Sequence, residues 1–360
     1  MSDARPWPRL RVLVVDDSPV ARRLLVHILG SDPELEVIAE AENGDEAVRI
    51  ATRERPDVIV MDIVMPSMDG LEATRRIMQE RPTPIVLVSA SYGPGGYLSQ
   101  SFEALQAGAL TLVAKPSGPQ SSSFAADAEE LTITVKLMAD VKLVARRART
   151  RSHQQPVAKP ARPPAGAGRR PVEIVAIAAS TGGPAALATI LSALPTSTPV
   201  PIVVVQHMTE GFVEGLVDWL DARSPLAVRV ARDCEPLGAG EVLVAPSGVH
   251  LRVSAGGSVA LSHEPPAGGH RPSATHLFRS VASVYGAAGV GAILTGMGED
   301  GVAGLSALRE AGGLVLAQDE GTSVVYGMPM KAASLGIVDQ VVPVDRMAAA
   351  LIATWNGAKR

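Results

Sequence analysis

Three polar side chains in the second half of the chain are of the types needed for acyl transfer. Ser180 opens the turn Ser-Thr-Gly-Gly-Pro, His207 follows the run Val-Val-Val-Gln, and Asp300 lies in Gly-Met-Gly-Glu-Asp-Gly. A serine becomes a nucleophile when a base removes its proton, and an acid holds that base in place. Each residue taken alone also has a structural interpretation, because Ser and Asp are common in turns and helix caps and a histidine can belong to the core.

The elements that must position these residues are predicted to be buried strands. Three apolar runs rich in β-branched residues indicate them: 172–179, 202–205 and 290–295. Pro184 then opens an Ala- and Leu-rich stretch that predicts a helix. Because the carboxyl ends of parallel strands share one edge of a sheet, we expect the three polar side chains to meet there. The backbone amides of the Ser180 turn could hold a developing oxyanion.

This arrangement differs from the commonest class of serine hydrolases. The chain order Ser, His, Asp is not the Ser, Asp, His order of α/β-hydrolases, and no G-x-S-x-G elbow surrounds Ser180. Catalytic triads recur on unrelated folds, so the chemistry remains compatible with another α/β fold.

A second set of polar residues marks strand ends in the first half of the chain. Five residues end or follow successive apolar runs: Asp16, Asp17, Asp62, Ser89 and Lys115. Clustered carboxylates need a cation between them, and Mg²⁺ prefers a few carboxylates together with water and phosphate oxygens. A lysine and a serine beside them would bind a phosphoryl group. Any one of these residues alone could be an ordinary turn residue.

Apolar runs and helical patterns alternate, which predicts an α/β fold with a doubly wound parallel sheet in each half. In the first half the predicted strands are 12–15, 37–41, 58–61, 85–88 and 110–114. The predicted helices are 19–29, 44–55, 71–79, 97–107 and a closing helix at 125–148.

The same pattern predicts two domains with a joint between them. Residues 10–125 form a predicted (βα)5 domain, which the closing helix extends to about 148, and residues 171–358 form a second α/β domain. Between them, residues 149–170 are rich in Arg, Pro and Gly and contain no acidic residue. Such a segment cannot bury enough apolar surface to fold, so we expect a solvated linker, or one whose positive charge touches an acidic partner or nucleic acid.

Composition narrows the class of protein. The chain has 360 residues, 46% of them hydrophobic and 19% charged, which is typical of globular domains. A net charge of −4 gives no overall attraction to nucleic acid. Cys234 is the only cysteine, so no intrachain disulfide can form. With no visible signal sequence and no apolar stretch long enough to span a bilayer, we expect a cytoplasmic protein without membrane insertion.

The segment Val-Ile-Val-Met-Asp-Ile-Val-Met-Pro around Asp62 makes residues 10 to 120 resemble a response-regulator receiver domain. The resemblance implies that Asp62 accepts a phosphoryl group from a chemotaxis histidine kinase. It also implies a Mg²⁺ ion held by three carboxylates and one backbone carbonyl: those of Asp16, Asp17, Asp62 and Val64. Ser89 and Lys115 match the receiver's switch positions.

One position departs from the receiver pattern. Receivers usually carry an aromatic residue three places before the lysine, where this chain has Leu112. Any signal must therefore travel through a loop or an interface rather than through a rotating aromatic ring.

The second half resembles the catalytic domain of the chemotaxis protein-glutamate methylesterases, the CheB family. The matching stretches are ASTGGP, VVQHM, LTGMGEDG, RPSATHLFRSVA and AQDEGTSVVYGMP. The resemblance implies that Ser180, His207 and Asp300 form the triad and that the amides of Thr181 and Met297 bind the oxyanion. It implies hydrolysis of glutamate γ-methyl esters on methyl-accepting chemotaxis receptors, deamidation of receptor glutamines, and no cofactor for the esterase. The unphosphorylated receiver would cover the Ser180 cleft.

Two other classes of function are open to a receiver-containing chain. A DNA-binding output would use the basic linker, but the second half has no helix-turn-helix pattern, so no nucleic acid is expected. A receptor-binding adaptor without catalysis would not need Ser180, His207 and Asp300. His263, His270 and His276 are not spaced like the ligands of a metal site.

Overall fold

The computed structural model describes residues 9–89, 102–105, 107–139, 141 and 170–356. The chain divides into two compact units, Met1–Arg149 and Thr150–Arg360. The predicted linker, 149–170, lies outside the described residues except for Arg170, so its structure stays a prediction.

The first unit contains one five-stranded parallel sheet with the order β2-β1-β3-β4-β5. Its strands are β1 (Leu10–Val15), β2 (Leu35–Ala41), β3 (Val58–Asp62), β4 (Ile85–Ser89) and β5 (Thr111–Ala114). Every residue of β3 and β4 is buried, which explains their continuous apolar sequences. The sheet therefore aligns Asp62 and Ser89 at the carboxyl ends of adjacent strands.

The helices of this unit are α1 (Pro19–Gly30), α2 (Gly44–Glu54), α3 (Gly70–Glu80) and α4 (Phe124–Ala139). The first three begin at side chains that accept a hydrogen bond from the first turn, those of Ser18, Asn43 and Asp69. Residues 102–105 are helical as predicted, whereas 97–101 and 106 of that predicted helix lie outside the described residues.

The prediction that the closing helix runs unbroken to 148 is wrong. The helix α4 ends at Ala139, and Val141 is not helical. The N–H of Val141 donates to the carbonyl oxygen of Met138, only three residues back, so the α-helical hydrogen-bond ladder has already ended there. Residues 142–148 lie outside the described part of the chain.

The second unit contains a seven-stranded parallel sheet with the order β14-β13-β12-β6-β7-β9-β8. Its strands are β6 (Ile174–Ala179), β7 (Ile202–Gln206), β8 (Ala227–Val230), β9 (Glu241–Val244), β12 (Gly289–Ile293), β13 (Leu314–Gln318) and β14 (Gln340–Val342). The chain builds outward from β6 on one side and from β12 on the other. The switch point between β6 and β12 is where such sheets open a crevice for ligands.

In the described part of this unit six helices accompany the sheet: α5 (Gly183–Leu191), α6 (Val213–Asp221), α7 (Ala274–Tyr285), α8 (Val302–Glu310), α9 (Met328–Ser334) and α10 (Val344–Asn356). An antiparallel hairpin of β10 (His250–Ser254) and β11 (Ser258–Ser262) interrupts the alternation and packs with α7 over one face of the sheet. No helix among the described residues is both long enough and apolar enough to cross a membrane.

The strand predicted at 290–295 is shorter in the structure. The strand β12 ends at Ile293, because the N–H of Thr295 donates to the side-chain oxygen of Gln318 at 2.8 Å instead of continuing the ladder. The chain leaves the sheet at Thr295, beside the end of β6.

Candidate active site and receiver acidic cluster

Ser180 is the first residue after β6, on a sharp turn into α5. Its N–H donates to the carbonyl oxygen of Thr295 at 3.0 Å, and its carbonyl oxygen accepts from the N–H of Gly183 at 2.8 Å. Gly182, at the start of the helix, has a φ of 78°, a backbone conformation that residues other than glycine rarely adopt. The turn therefore holds the Ser180 backbone firmly at the carboxyl edge of the sheet.

His207 follows β7, the strand next to β6, and contacts Asp300 directly. The N–H of His207 donates to the carbonyl oxygen of Ala179 at 2.9 Å, so its backbone is tied to the residue before Ser180. Its Nε2 lies 2.8 Å from Oδ2 of Asp300, and the two side chains are only 7% and 5% exposed. Its Nδ1 is buried and has no hydrogen-bond partner among the described residues. Because Nε2 is engaged by the carboxylate, Nδ1 is the nitrogen left to accept a proton.

Asp300 accepts hydrogen bonds from the first residues of α7 as well as from His207. The Ser273 hydroxyl donates to Oδ1 at 2.7 Å, and the N–H groups of Ala274 and Thr275 donate at 2.6 and 3.1 Å. Burial alone would raise the pKa of Asp300. The hydrogen bond and the charge of His207, together with the hydrogen bonds from Ser273 and Thr275, outweigh burial and hold the pKa well below its usual value. The carboxylate stays ionised and can stabilise a protonated His207.

In the first unit, Asp16, Asp17 and Asp62 lie close together at the carboxyl edge of the sheet. Their nearest ligand oxygens are all within 4.8 Å of one another, and Asp16 and Asp62 are buried. The Lys115 Nζ lies 2.7 Å from Oδ2 of Asp16 and 2.8 Å from Oδ2 of Asp62. One lysine cannot balance three carboxylates, so the donor set fits a divalent cation such as Mg²⁺.

Burial and mutual repulsion are visible in the electrostatics of this cluster. Burial raises the pKa of Asp62. Lys115 opposes this shift, and the negative charge of the neighbouring Asp16 adds to it. Burial alone would lower the pKa of Lys115, but its hydrogen bonds to both carboxylates outweigh this and raise the pKa. The lysine therefore remains charged beside Asp62.

The other predicted receiver residues lie around this edge. Ser89 ends β4, is 7% exposed, and its carbonyl oxygen accepts from the N–H of Lys115 at 2.8 Å. Val64 lies two residues beyond Asp62 and is 44% exposed. Leu112, in place of the usual aromatic residue, lies half-buried in β5 opposite Leu87 of β4.

Comparison with known proteins supports both halves of this description. Residues 175–351 match the CheB methylesterase family, and residues 12–123 match the response regulator receiver domain. A protein-glutamate methylesterase/protein-glutamine glutaminase of Myxococcus xanthus is 50% identical over 349 residues, 97% of this chain and 98% of that protein. One from Anaeromyxobacter dehalogenans is 50% identical over 347 residues, 96% of this chain and 99% of that protein. The crystal structure of the Thermotoga maritima CheB methylesterase catalytic domain is 39% identical, with a TM-score of 0.49, and covers 50% of this chain and 97% of that one.

The chain belongs to the CheB methylesterase family. The predicted receiver domain and the predicted doubly wound α/β catalytic domain are thereby confirmed, and so is the predicted chemotaxis methylesterase with glutaminase activity, regulated by phosphorylation. Family membership does not by itself assign the individual site residues. Support for those assignments comes from the His207–Asp300 contact and from the cluster of Asp16, Asp17 and Asp62.

The two amides expected to bind the oxyanion are those of Thr181, in the turn of Ser180, and Met297, in the loop after β12. The N–H groups of Thr181 and Met297 have no hydrogen-bond acceptor within the described residues. The loop of Met297 is tied to the start of α9, because the carbonyl oxygen of Gly296 accepts from the N–H of Gly327 at 3.1 Å and from that of Met328 at 2.9 Å. Both amides are therefore available to a ligand.

Sequence reasoning missed two buried polar side chains that hold the site together. The Gln206 Nε2 donates to the carbonyl oxygens of Ser180 and His207, both at 2.8 Å. The Thr295 hydroxyl donates to the carbonyl oxygen of Thr181 at 2.9 Å and accepts from the N–H of Val325 at 3.0 Å. A polar residue ending an otherwise apolar strand was the available signal for both.

The histidines near α7 form two stacked pairs. The rings of His207 and His270 are parallel within 6°, with their centroids 4.1 Å apart. The rings of His250 and His276 lie 4.0 Å apart at 18°. His270 and His276 thus lie against different partners, and His263 is exposed.

Proposed function

We propose that Ser180, His207 and Asp300 hydrolyse the γ-methyl esters of glutamates on methyl-accepting chemotaxis receptors. The observation that carries the proposal is the buried His207–Asp300 pair, in which Nδ1 has no hydrogen-bond partner among the described residues. Ser180 and His207 follow adjacent strands, β6 and β7. The order of these residues along the chain is unusual, but their placement at the switch point of a parallel sheet matches the requirements of a triad.

The chemistry follows from the geometry. His207 Nδ1 takes the proton of the Ser180 hydroxyl as its oxygen attacks the ester carbonyl, and Asp300 stabilises the imidazolium that forms. The amides of Thr181 and Met297 donate to the oxyanion of the tetrahedral intermediate. The intermediate collapses, methanol leaves with the proton from His207, and an acyl-enzyme remains. Water, deprotonated by His207, then releases the glutamate carboxylate and restores Ser180.

The same acyl-enzyme accounts for glutamine deamidation. When the substrate is a glutamine side chain, His207 protonates the departing nitrogen and ammonia leaves in place of methanol. Hydrolysis of the acyl-enzyme then yields the same glutamate. One site therefore suffices for both the esterase and the glutaminase reactions.

In the first unit we propose that Asp62 accepts a phosphoryl group from a chemotaxis histidine kinase. Asp16, Asp17 and Asp62, with the carbonyl of Val64, would hold Mg²⁺, which when bound neutralises charge on the transferring phosphoryl group. Lys115 places its ammonium beside Asp62 and would pair with a phosphoryl oxygen, and Ser89 would donate a hydrogen bond to another. No nucleic acid is required by either half.

Methanol release from methylated receptor membranes tests the proposed triad. The full chain carrying Ser180→Ala or His207→Gln should lose at least about 10³-fold in rate, since each removes an essential group. Ser192→Ala is the matched control, because Ser192 is exposed at the end of α5 and should leave the rate unchanged. Methanol release at the normal rate by the Ser180 variant would refute the proposal.

A further inference from the structure

His270 lies flat against His207 and is not part of the triad. The two rings are parallel within 6° and their centroids are 4.1 Å apart. Stacked rings direct their nitrogen lone pairs outward in their own planes, so the pair is not arranged to chelate one ion. His270 instead contacts the flat face of the His207 ring, whereas Asp300 contacts the ring at its Nε2 edge.

We propose that His270 is a positioning residue for the base: its neutral ring covers one face of His207, fixes the ring plane and stabilises the imidazolium formed during acylation. The inference rests on the proposed role of His207. It adds a residue outside the triad that sets how well the base works.

The chain holds His270 at the end of a tight turn. Ala267 and His270 exchange two backbone hydrogen bonds of 3.1 Å, and both glycines between them have positive φ values, 59° for Gly268 and 84° for Gly269. Such a two-residue turn is stiff and needs glycine-like conformations. The turn therefore fixes the backbone of His270 relative to that of Ala267.

The residues just after His270 are anchored to the same site. The N–H of Ser273 donates to Nδ1 of the fully buried His250 at 3.1 Å, and the Ser273 hydroxyl donates to Asp300. The short segment from His270 to Ser273 thus contacts His207 in two ways: Ser273 holds the Asp300 carboxylate at the edge of the His207 ring, and His270 covers one face of that ring. The Nδ1 atom of His207 has no hydrogen-bond partner among the described residues.

The electrostatics require His270 to be neutral. Burial lowers the pKa of His270, the charge of His207 lowers it further, and Asp300 partly opposes both. Arg271 is the next residue along the chain and is exposed. A neutral aromatic face attracts a cation, whereas a charged His270 would repel the imidazolium of His207. His270 thus favours the charged form of His207 only while its own ring is neutral.

The first test is the kinetics of side-chain replacement in the full chain. With receptor concentration varied, His270→Ala should lower kcat for methanol release by about 3- to 30-fold, the range expected for a lost cation–π contact, with KM changed by less than about twofold. His270→Phe, which restores a flat neutral ring, should recover a large part of that loss. His263→Ala is the control, because His263 is an exposed histidine outside the proposed triad and the His207–His270 stack.

The second test separates charge from packing. His270→Lys and His270→Met have side chains of similar length, and only the lysine places a cation beside His207. A cation disfavours the imidazolium, so the acid limb of the kcat–pH profile should move to lower pH by about one unit relative to the Met variant, with a lower plateau. A merely structural residue would give the same profile for both variants.

The outcomes distinguish this inference from the function on which it rests. If His207→Gln keeps its activity, the proposed triad fails and the role of His270 fails with it. If His207→Gln is inactive but His270→Ala keeps the wild-type kcat, the inference alone is overturned. If the Ala variant does not fold, the Lys and Met pair decides, and identical pH profiles in those two overturn the inference.

Discussion

The side-chain nitrogen of Gln206 lies 2.8 Å from the carbonyl oxygen of Ser180 and reaches the carbonyl oxygen of His207 at the same distance. One amide group therefore joins the loop of the nucleophile to the loop of the base. Gln206 is 3% exposed, so water cannot replace it. Its effect on catalysis should act through the position of these two loops.

Replacing Gln206 with leucine should weaken both stability and activity. Two partly buried carbonyl groups would lose a donor, although that of Ser180 keeps the N–H of Gly183, at a cost of about 1–3 kcal/mol in the free energy of unfolding. We expect kcat for methanol release to fall under conditions where the variant is still fully folded. Denaturant unfolding and kinetics on the same sample measure the two effects, with the exposed Gln79→Leu as the control. An unchanged kcat would show that Gln206 does not position the site.

Gly296 should not tolerate a side chain. A Cβ at this position would lie 2.5 Å from the sulfur of Met328 and 2.7 Å from Cβ of Ser180, closer than real Cβ contacts. Gly296→Ala should therefore displace Ser180 or its loop and lower kcat by about tenfold or more. Gly256→Ala is the control, because a Cβ there meets nothing within 4 Å. Equal rates for the two variants would contradict this account of the close packing.

Asp300 should make stability depend on pH in the acidic range. Its pKa is lowered in the folded state, so its stabilising contribution is fully present above the unfolded-state value of about 3.9 and is lost as pH falls below it. Asp300→Asn should lower the melting temperature at pH 6. The difference between wild type and variant should then shrink as the pH is lowered from about 5 to 3. A difference that stays constant over this range would mean that Asp300 is not preferentially ionised in the folded protein.

The sequence predicts which residues lie at strand ends better than it predicts hydrogen bonds between distant segments of the chain. The positions of Ser180, His207 and Asp62 at the carboxyl ends of strands are predictable, because apolar runs mark strands and parallel strands align their ends. The donors to Asp300 come from Ser273, Ala274 and Thr275, and such contacts between distant segments leave no local pattern.

Other features were missed for related physical reasons. The hairpin of β10 and β11 breaks the α/β alternation on which the strand predictions depended. The His207–His270 stack arises only when a loop folds back over the sheet. The early end of β12 depends on Gln318, a side chain of the neighbouring strand that takes the N–H of Thr295. Tertiary hydrogen bonds and ring contacts of this kind decide boundaries and orientations that local periodicity does not encode.

The acidic cluster predicts that phosphorylation, but not the basal esterase reaction, depends on Mg²⁺ and on Asp62. With a phosphodonor and Mg²⁺, the wild-type chain should release methanol faster, whereas Asp62→Asn should show only the unstimulated rate because it has no carboxylate to accept the phosphoryl group. Removing Mg²⁺ with EDTA should abolish the stimulation of the wild type in the same way, since Lys115 alone cannot balance the charges of Asp16, Asp17 and Asp62.

The reciprocal variant gives the control for this prediction. Ser180→Ala should still incorporate phosphate at Asp62 while releasing no methanol, which separates the two chemistries within one chain. Phosphate incorporation and methanol release measured on the same samples check both. Stimulation of Asp62→Asn to the wild-type rate would show that the regulatory phosphoryl group is carried by another residue.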